Sequence, residues 1–119
     1  MEIDMSTELA DKHCAPCEGG TAPMDTAAVK EHLGLLNERW DASGDQTTIS
    51  ADFKFKNYYH TQAFINAVAW IAHREDHHPD IAFGYNKARI SYSTHAIGGL
   101  SENDFISAAK VDKLLPGES

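Results

Sequence analysis

The chain has 119 residues, 42% of them hydrophobic, and a formal net charge of −8. That length suits one domain with one ordinary core, and the hydrophobic share argues against disorder. The negative balance repels phosphate backbones and anionic lipid surfaces, so neither nucleic acid nor membrane is an expected partner, and no apolar run nears the ~18 residues of a spanning helix.

Residues 1 to 24 carry no apolar periodicity. They hold Pro16, Pro23, Gly19-Gly20 and both cysteines, in His13-Cys14-Ala15-Pro16-Cys17. The polar, partly acidic start does not resemble a secretory signal, so a cytoplasmic location is expected. A Cys-x-x-Cys can be a redox pair or half a zinc site. The sequence has no second pair and no βαβ pattern around this one, so a flexible leader over residues 1–24 is expected, ahead of a single domain over 25–119.

The first helix is expected from Thr26 to Leu36, with Val29, Leu33 and Leu36 on one face and Asp25 or Thr26 as its cap. A short strand from Glu38 to Ala42 contains Trp40, and Ser43-Gly44-Asp45 signals a turn. Thr47 to Phe55 alternates strictly. Ile49, Ala51, Phe53 and Phe55 share one face, and Thr48, Ser50, Asp52 and Lys54 the other, as in a sheet covered on one side.

A second helix is expected from Thr61 to Glu75, with Phe64, Ala67, Val68, Ile71 and Ala72 forming the core stripe and Trp70 packing beside it. It must end near Asp76 to His78, because a residue before proline is pushed out of the α region. Strands follow over Ile81–Tyr85 and Arg89–Thr94, with Asn86-Lys87 as the turn. Ser101 caps a last helix whose inward residues are Phe105, Ala108, Val111 and Leu115, with Asp104 favourable in its first turn. The order α-β-β-α-β-β-α predicts an α+β two-layer sandwich: a four-stranded antiparallel sheet with helices on one face. Exposed sheet edges make a homodimer or homotetramer plausible.

The chain has seven histidines. His77 and His78 stand together at the helix exit. A hairpin over 81–95, with Ile81 and His95 as near partners, returns His95 to them, so three imidazoles are expected to cluster. Imidazole has an unperturbed pKa of about 6.5, and a site holding several can give one proton and take another. Asp76 and Asp80 flank the pair and could orient a ring. Two other readings stay open on spacing alone. His73 and His77, four apart, could join His95 or Asp76 as metal ligands, or the polar residues could simply close a helix end. The sequence His73-Arg74-Glu75-Asp76-His77 does not fit H-E-x-x-H, and no G-x-S-x-G, Walker or G-x-G-x-x-G pattern occurs.

His77-His78-Pro79-Asp80, Tyr85-Asn86-Lys87, Ser93-Thr94-His95 and Gly99-Leu100, with Trp40 and Phe53-Lys54-Phe55-Lys56 upstream, resemble the pterin-4a-carbinolamine dehydratase family in order and spacing. The likeness covers Thr26 to Leu115, and the Cys-x-x-Cys leader looks like that of bacterial members. The resemblance implies dehydration of a 4a-hydroxytetrahydropterin to the quinonoid dihydropterin, with no metal or organic cofactor. The reaction recycles the cofactor of an aromatic amino acid hydroxylase. The resemblance also implies catalysis by His77, His78 and His95, with substrate binding by Asp76, Pro79, Ser93, Thr94, Ala96 and Trp40. Two positions depart from the pattern: relatives often carry Glu where His73 stands and an acid where Ala96 stands. The alternatives are a non-catalytic regulator that binds pterin or protein, and a histidine-based metal protein.

Overall fold

The computed structural model describes residues 9–15 and 22–115. Its elements are α1 (Thr26–Leu33), β1 (Asp41–Ala42), β2 (Ile49–Lys54), α2 (Tyr58–Glu75), β3 (Asp80–Phe83), β4 (Lys87–Tyr92) and α3 (Glu102–Asp112), with a 3₁₀ turn at His95–Ile97. The four strands form one antiparallel sheet in the order β1-β2-β4-β3. This is the expected α+β sandwich. Cys17 and Gly19-Gly20 lie outside the described residues.

The sheet follows the alternation in the sequence. Ile49, Ala51 and Phe53 of β2 and Ala88, Ile90 and Tyr92 of β4 are buried on one face. On the other face Ser50 meets Ser91 at 2.8 Å, and Arg89 pairs with Asp52 at 3.0 Å. The Arg89–Asp52 pair is exposed and adds little stability. Phe64 and Val68 of α2 and Phe105, Ala108 and Val111 of α3 complete the core. Among the described residues no helix is long and apolar enough to cross a membrane.

Several boundaries move for local reasons. The second helix begins at Tyr58 rather than Thr61, because Asn57 caps it, accepting from the His60 N–H at 2.9 Å. The first strand is only Asp41–Ala42. Trp40 precedes it, in a turn closed by its N–H on the Asn37 carbonyl. Trp70 is not packed beside the core stripe but is 59% exposed and lies against the His73 ring. Two residues beyond buried Val68, it sits about 200° around the helix from it.

The last hairpin is tighter than expected. Ile81 faces Ile90, not His95, because the chain turns at Gly84 to Asn86, where the Gly84 N–H meets the Lys87 carbonyl at 2.9 Å. Asp80 faces Ser91. Counting outward from that pair along both chains sets His78 against Ser93 and Asp76 against His95. The shorter hairpin thus still returns the second segment to the helix exit.

Candidate active site

The exit from α2 is built on Asp76. Its backbone is left-handed, at φ 50° and ψ 43°, and its N–H returns to the Ala72 carbonyl. Aspartate tolerates this conformation better than most side chains. Pro79 then keeps His78 out of the α region and leads into β3. On the facing segment, Thr94 forms an isolated bridge with Gly99 around the His95–Ile97 turn. Gly98 closes that turn at φ 67°, and a Cβ on Gly99 would come within 2.6 Å of the Pro23 side chain.

Between these segments lies a cavity of about 490 Å³. Asp76, His77 and His78 line it from one side of the chain crossing, and Ser93, Thr94, His95 and Ala96 from the other. Cys14, Ala15, Glu75 and Asn103 complete the lining. The three imidazoles expected to cluster therefore meet on one cavity. Pro79 does not line it. Nor does Trp40, which is 3% exposed in the core, where its indole N–H donates to Asp112 Oδ1 at 2.9 Å and its ring packs near Phe53 and Tyr92. Burial pushes the Asp112 carboxyl up, and the Asn37 N–H, the Trp40 indole and Arg39 offset only part of that.

His77 is held on two sides. Its ring stacks on Tyr92, with centroids 5.9 Å apart and planes at 8°. Its Nε2 lies 2.6 Å from Oδ1 of Asp104, a side chain with no exposed surface. The other oxygen, Oδ2, accepts from the Thr94 hydroxyl at 2.8 Å and the Ser101 N–H at 3.0 Å. A carboxylate used wholly as an acceptor takes the Nε2–H and leaves Nδ1 as the nitrogen available to a ligand. Asp104 thus fixes the tautomer and orientation of one ring while its neighbour oxygen ties Thr94 to the start of α3.

Glu75 is a second buried carboxylate. It accepts from the Cys14 N–H at 2.7 Å and lies 3.0 Å from His13 Nδ1 and 3.9 Å from Lys110 Nζ. Burial alone would raise its pKa, but those three partners outweigh it and hold the carboxyl below the usual carboxylate range. Burial also pushes the Cys14 thiol up to about 11, as expected of a neutral, unreactive sulfur.

Asp104, Glu75, Asn103, Cys14 and Ala15 are the residues that the sequence alone does not place at the site. One signal for Asp104 was available: it shares a helical face with Ala108 and Val111, which puts an acid on the core stripe. His73 does not line the cavity and is exposed. Among the described residues, no three histidine, cysteine or acidic side chains gather into a set that could hold a metal ion.

Residues 22–114 match the family model described as pterin 4 alpha carbinolamine dehydratase. A Nitrosomonas eutropha protein named "Putative pterin-4-alpha-carbinolamine dehydratase" is 56% identical over 108 residues, covering 91% of this chain and 94% of its own. A protein of the same name from Legionella pneumophila strain Corby is 50% identical over 111 residues, covering 93% and 98%. Among solved structures, a transcriptional coactivator/pterin dehydratase from Brucella melitensis superposes with a TM-score of 0.73 at 27% identity, over 77% of this chain and 97% of that one. A pterin dehydratase-like protein described as a RuBisCO assembly factor in the alpha-carboxysome gives 0.58 at 29% identity, over 66% and 92%.

Proposed function

Because the chain belongs to the pterin 4 alpha carbinolamine dehydratase family, we propose that it dehydrates a 4a-hydroxytetrahydropterin to the quinonoid dihydropterin by histidine acid–base catalysis. The observation that carries this reading is the convergence of His77, His78 and His95 on one cavity.

The reaction breaks the C4a–O bond, forms C4a=N5 and releases the N5 proton. Hydroxide is a poor leaving group, so an acid must protonate the oxygen as it departs as water. A base must take the N5 proton. The net change is loss of water without oxidation, so the reading assigns no cofactor. His77 and His95 share the acid and base roles, and His78 chiefly orients the ligand. The Asp104 contact supports His77 as one of the pair, since it commits one ring nitrogen and frees the other. Asp76, Ser93, Thr94 and Ala96 supply the remaining pterin contacts. Positioned acid–base groups of this kind contribute about 10²–10⁴-fold each.

The same reading places the protein in the cytoplasm, beside an aromatic amino acid hydroxylase whose pterin it recycles. It also makes the protein a homodimer or homotetramer. Tyr59 and Trp70, exposed on α2, and the open edge of β3 support self-association.

The test is loss of carbinolamine absorbance in a coupled hydroxylase assay, with wild type, His77→Ala and His95→Ala. Wild type should beat the uncatalysed rate at micromolar protein, and each variant should lose at least about 100-fold. A wild type no faster than buffer would favour a non-catalytic binding protein. An unchanged rate for His95→Ala would remove that ring from the mechanism.

A further inference from the structure

Chain termini are usually frayed, yet Leu9–Ala15 is tied down along its whole length. Leu9 is buried in the core. Lys110 Nζ donates to the Ala10 carbonyl at 2.6 Å, and Lys12 pairs with Glu102 at 3.3 Å. The Cys14 N–H and the His13 ring meet the two oxygens of Glu75. Asn103 clasps Ala15 from both sides of the peptide: its Oδ1 accepts from the Ala15 N–H at 3.0 Å, and its Nδ2 donates to the Ala15 carbonyl at 2.5 Å. Without this strap the buried Glu75 carboxylate would lose its backbone donor, a costly state for a charge away from water.

The strap also reaches the site. Cys14 and Ala15 line the same cavity as the three histidines, and so do Glu75 and Asn103, the side chains that clamp them. Cys14 and Ala15 contribute small, uncharged surface to a lining otherwise made largely of imidazoles, acids and hydroxyls. A flat heterocycle needs such surface against a ring face as well as hydrogen bonds at its edges.

Resting on the dehydratase reading above, we propose that Leu9–Ala15 is a fixed wall of the pterin site, and that Glu75 and Asn103 are positioning residues that set it. They act on how tightly pterin is held, not on bond breaking. Glu75→Ala and Asn103→Ala should each raise KM about tenfold with kcat within about threefold of wild type. Glu75→Gln, whose amide oxygen can still accept from the Cys14 N–H, should recover most of that loss.

A second readout is independent of turnover. In a Cys17→Ser background Cys14 is the sole thiol. Its alkylation by N-ethylmaleimide should slow about tenfold under saturating 7,8-dihydrobiopterin. It should speed at least tenfold when Glu75→Ala or Asn103→Ala releases the strap. Absence of pterin protection in a sample that turns over substrate would overturn the proposal. So would an unchanged KM in both variants once alkylation shows the strap released. Wild-type protein without turnover would instead sink the dehydratase reading, and the protection experiment would still report whether the strap borders a pterin site.

Discussion

His77 Nε2 and Asp104 Oδ1 stand 2.6 Å apart, and the Asp104 side chain has no exposed surface. An amide in place of that carboxylate presents a donor where the ring needs an acceptor, or turns the ring to the wrong tautomer. Asp104→Asn should therefore lower kcat about 10–100-fold, the usual effect of removing an orienting partner, with KM little changed. Steady-state kinetics across pH checks it. An intact kcat with a lowered thermal midpoint would assign Asp104 to packing rather than to the ring.

Tyr92 stacks beneath His77, but its hydroxyl is buried with no hydrogen-bond partner among the described residues. Burial pushes its pKa up, so the group stays a neutral phenol. Removing an unpaired buried hydroxyl costs little and can stabilise. Tyr92→Phe should hold or raise the unfolding free energy measured in urea, by up to about 1 kcal/mol, and leave kcat within a few-fold. A loss of 2 kcal/mol or more (roughly a lost satisfied bond plus its desolvation) would mean the hydroxyl has a partner.

Trp40 offers a contrast. It is a core residue whose indole N–H serves the buried Asp112 carboxyl. Trp40→Phe should cost about 1–3 kcal/mol through the orphaned acceptor and lost volume, with KM unchanged. Denaturant unfolding and kinetics on the same sample separate the two, and a raised KM with full stability would return Trp40 to the ligand.

The Cys14 thiol, raised from 9.0 to about 11, carries roughly a hundredfold less thiolate at neutral pH than an ordinary thiol. Its greater intrinsic nucleophilicity recovers part of that, leaving a net deficit of about tenfold. Alkylation of Cys17→Ser protein should climb steadily from pH 8 to beyond 10. The sign for stability follows. The neutral thiol favours the folded state below pH 9, and that contribution is lost as pH rises toward 11. A plateau in alkylation below pH 9 would contradict the burial of Cys14.

Glu75 works in the opposite sense. Its folded carboxyl lies below the usual range, so its contribution is present above the unfolded carboxylate pKa and is lost as pH falls through the folded one. The wild-type thermal midpoint should fall more steeply than that of Glu75→Gln from about pH 5 downward. Parallel curves would show that the strap contacts do not depend on the charge.

The sheet and helices were legible because a half-covered sheet must alternate and an amphipathic helix must repeat its stripe. Ile49 to Phe55 and Phe64 to Ala72 did both. The histidine cluster was legible from one hairpin, even though Ile81 meets Ile90, because the helix exit and the strand end approach each other under either register. Trp70 was misplaced although its position, well around the helix from Val68, was open to calculation. Asp104 looked like any helix-starting acid, since its contact with His77 depends on where α3 docks. The strap carried no signal at all. Leu9 is one apolar residue without periodicity, and its anchors, Glu75, Asn103 and Lys110, lie 61 to 100 positions away in sequence.

Asp104 closes the first turn of α3 through Ser101 and holds an imidazole through its other oxygen. Asparagine, serine or glutamate would each be an acceptable exchange in that first turn on an ordinary surface helix. Here they are not interchangeable, because only a short carboxylate satisfies both ends at once. The beginning of the helix and the aim of the ring can therefore drift only together. Substitution of Ser101, which meets both Thr94 and Asp104 at that junction, should therefore surface in turnover before it surfaces in the melting of the fold, as steady-state kinetics and a thermal scan on one sample would show.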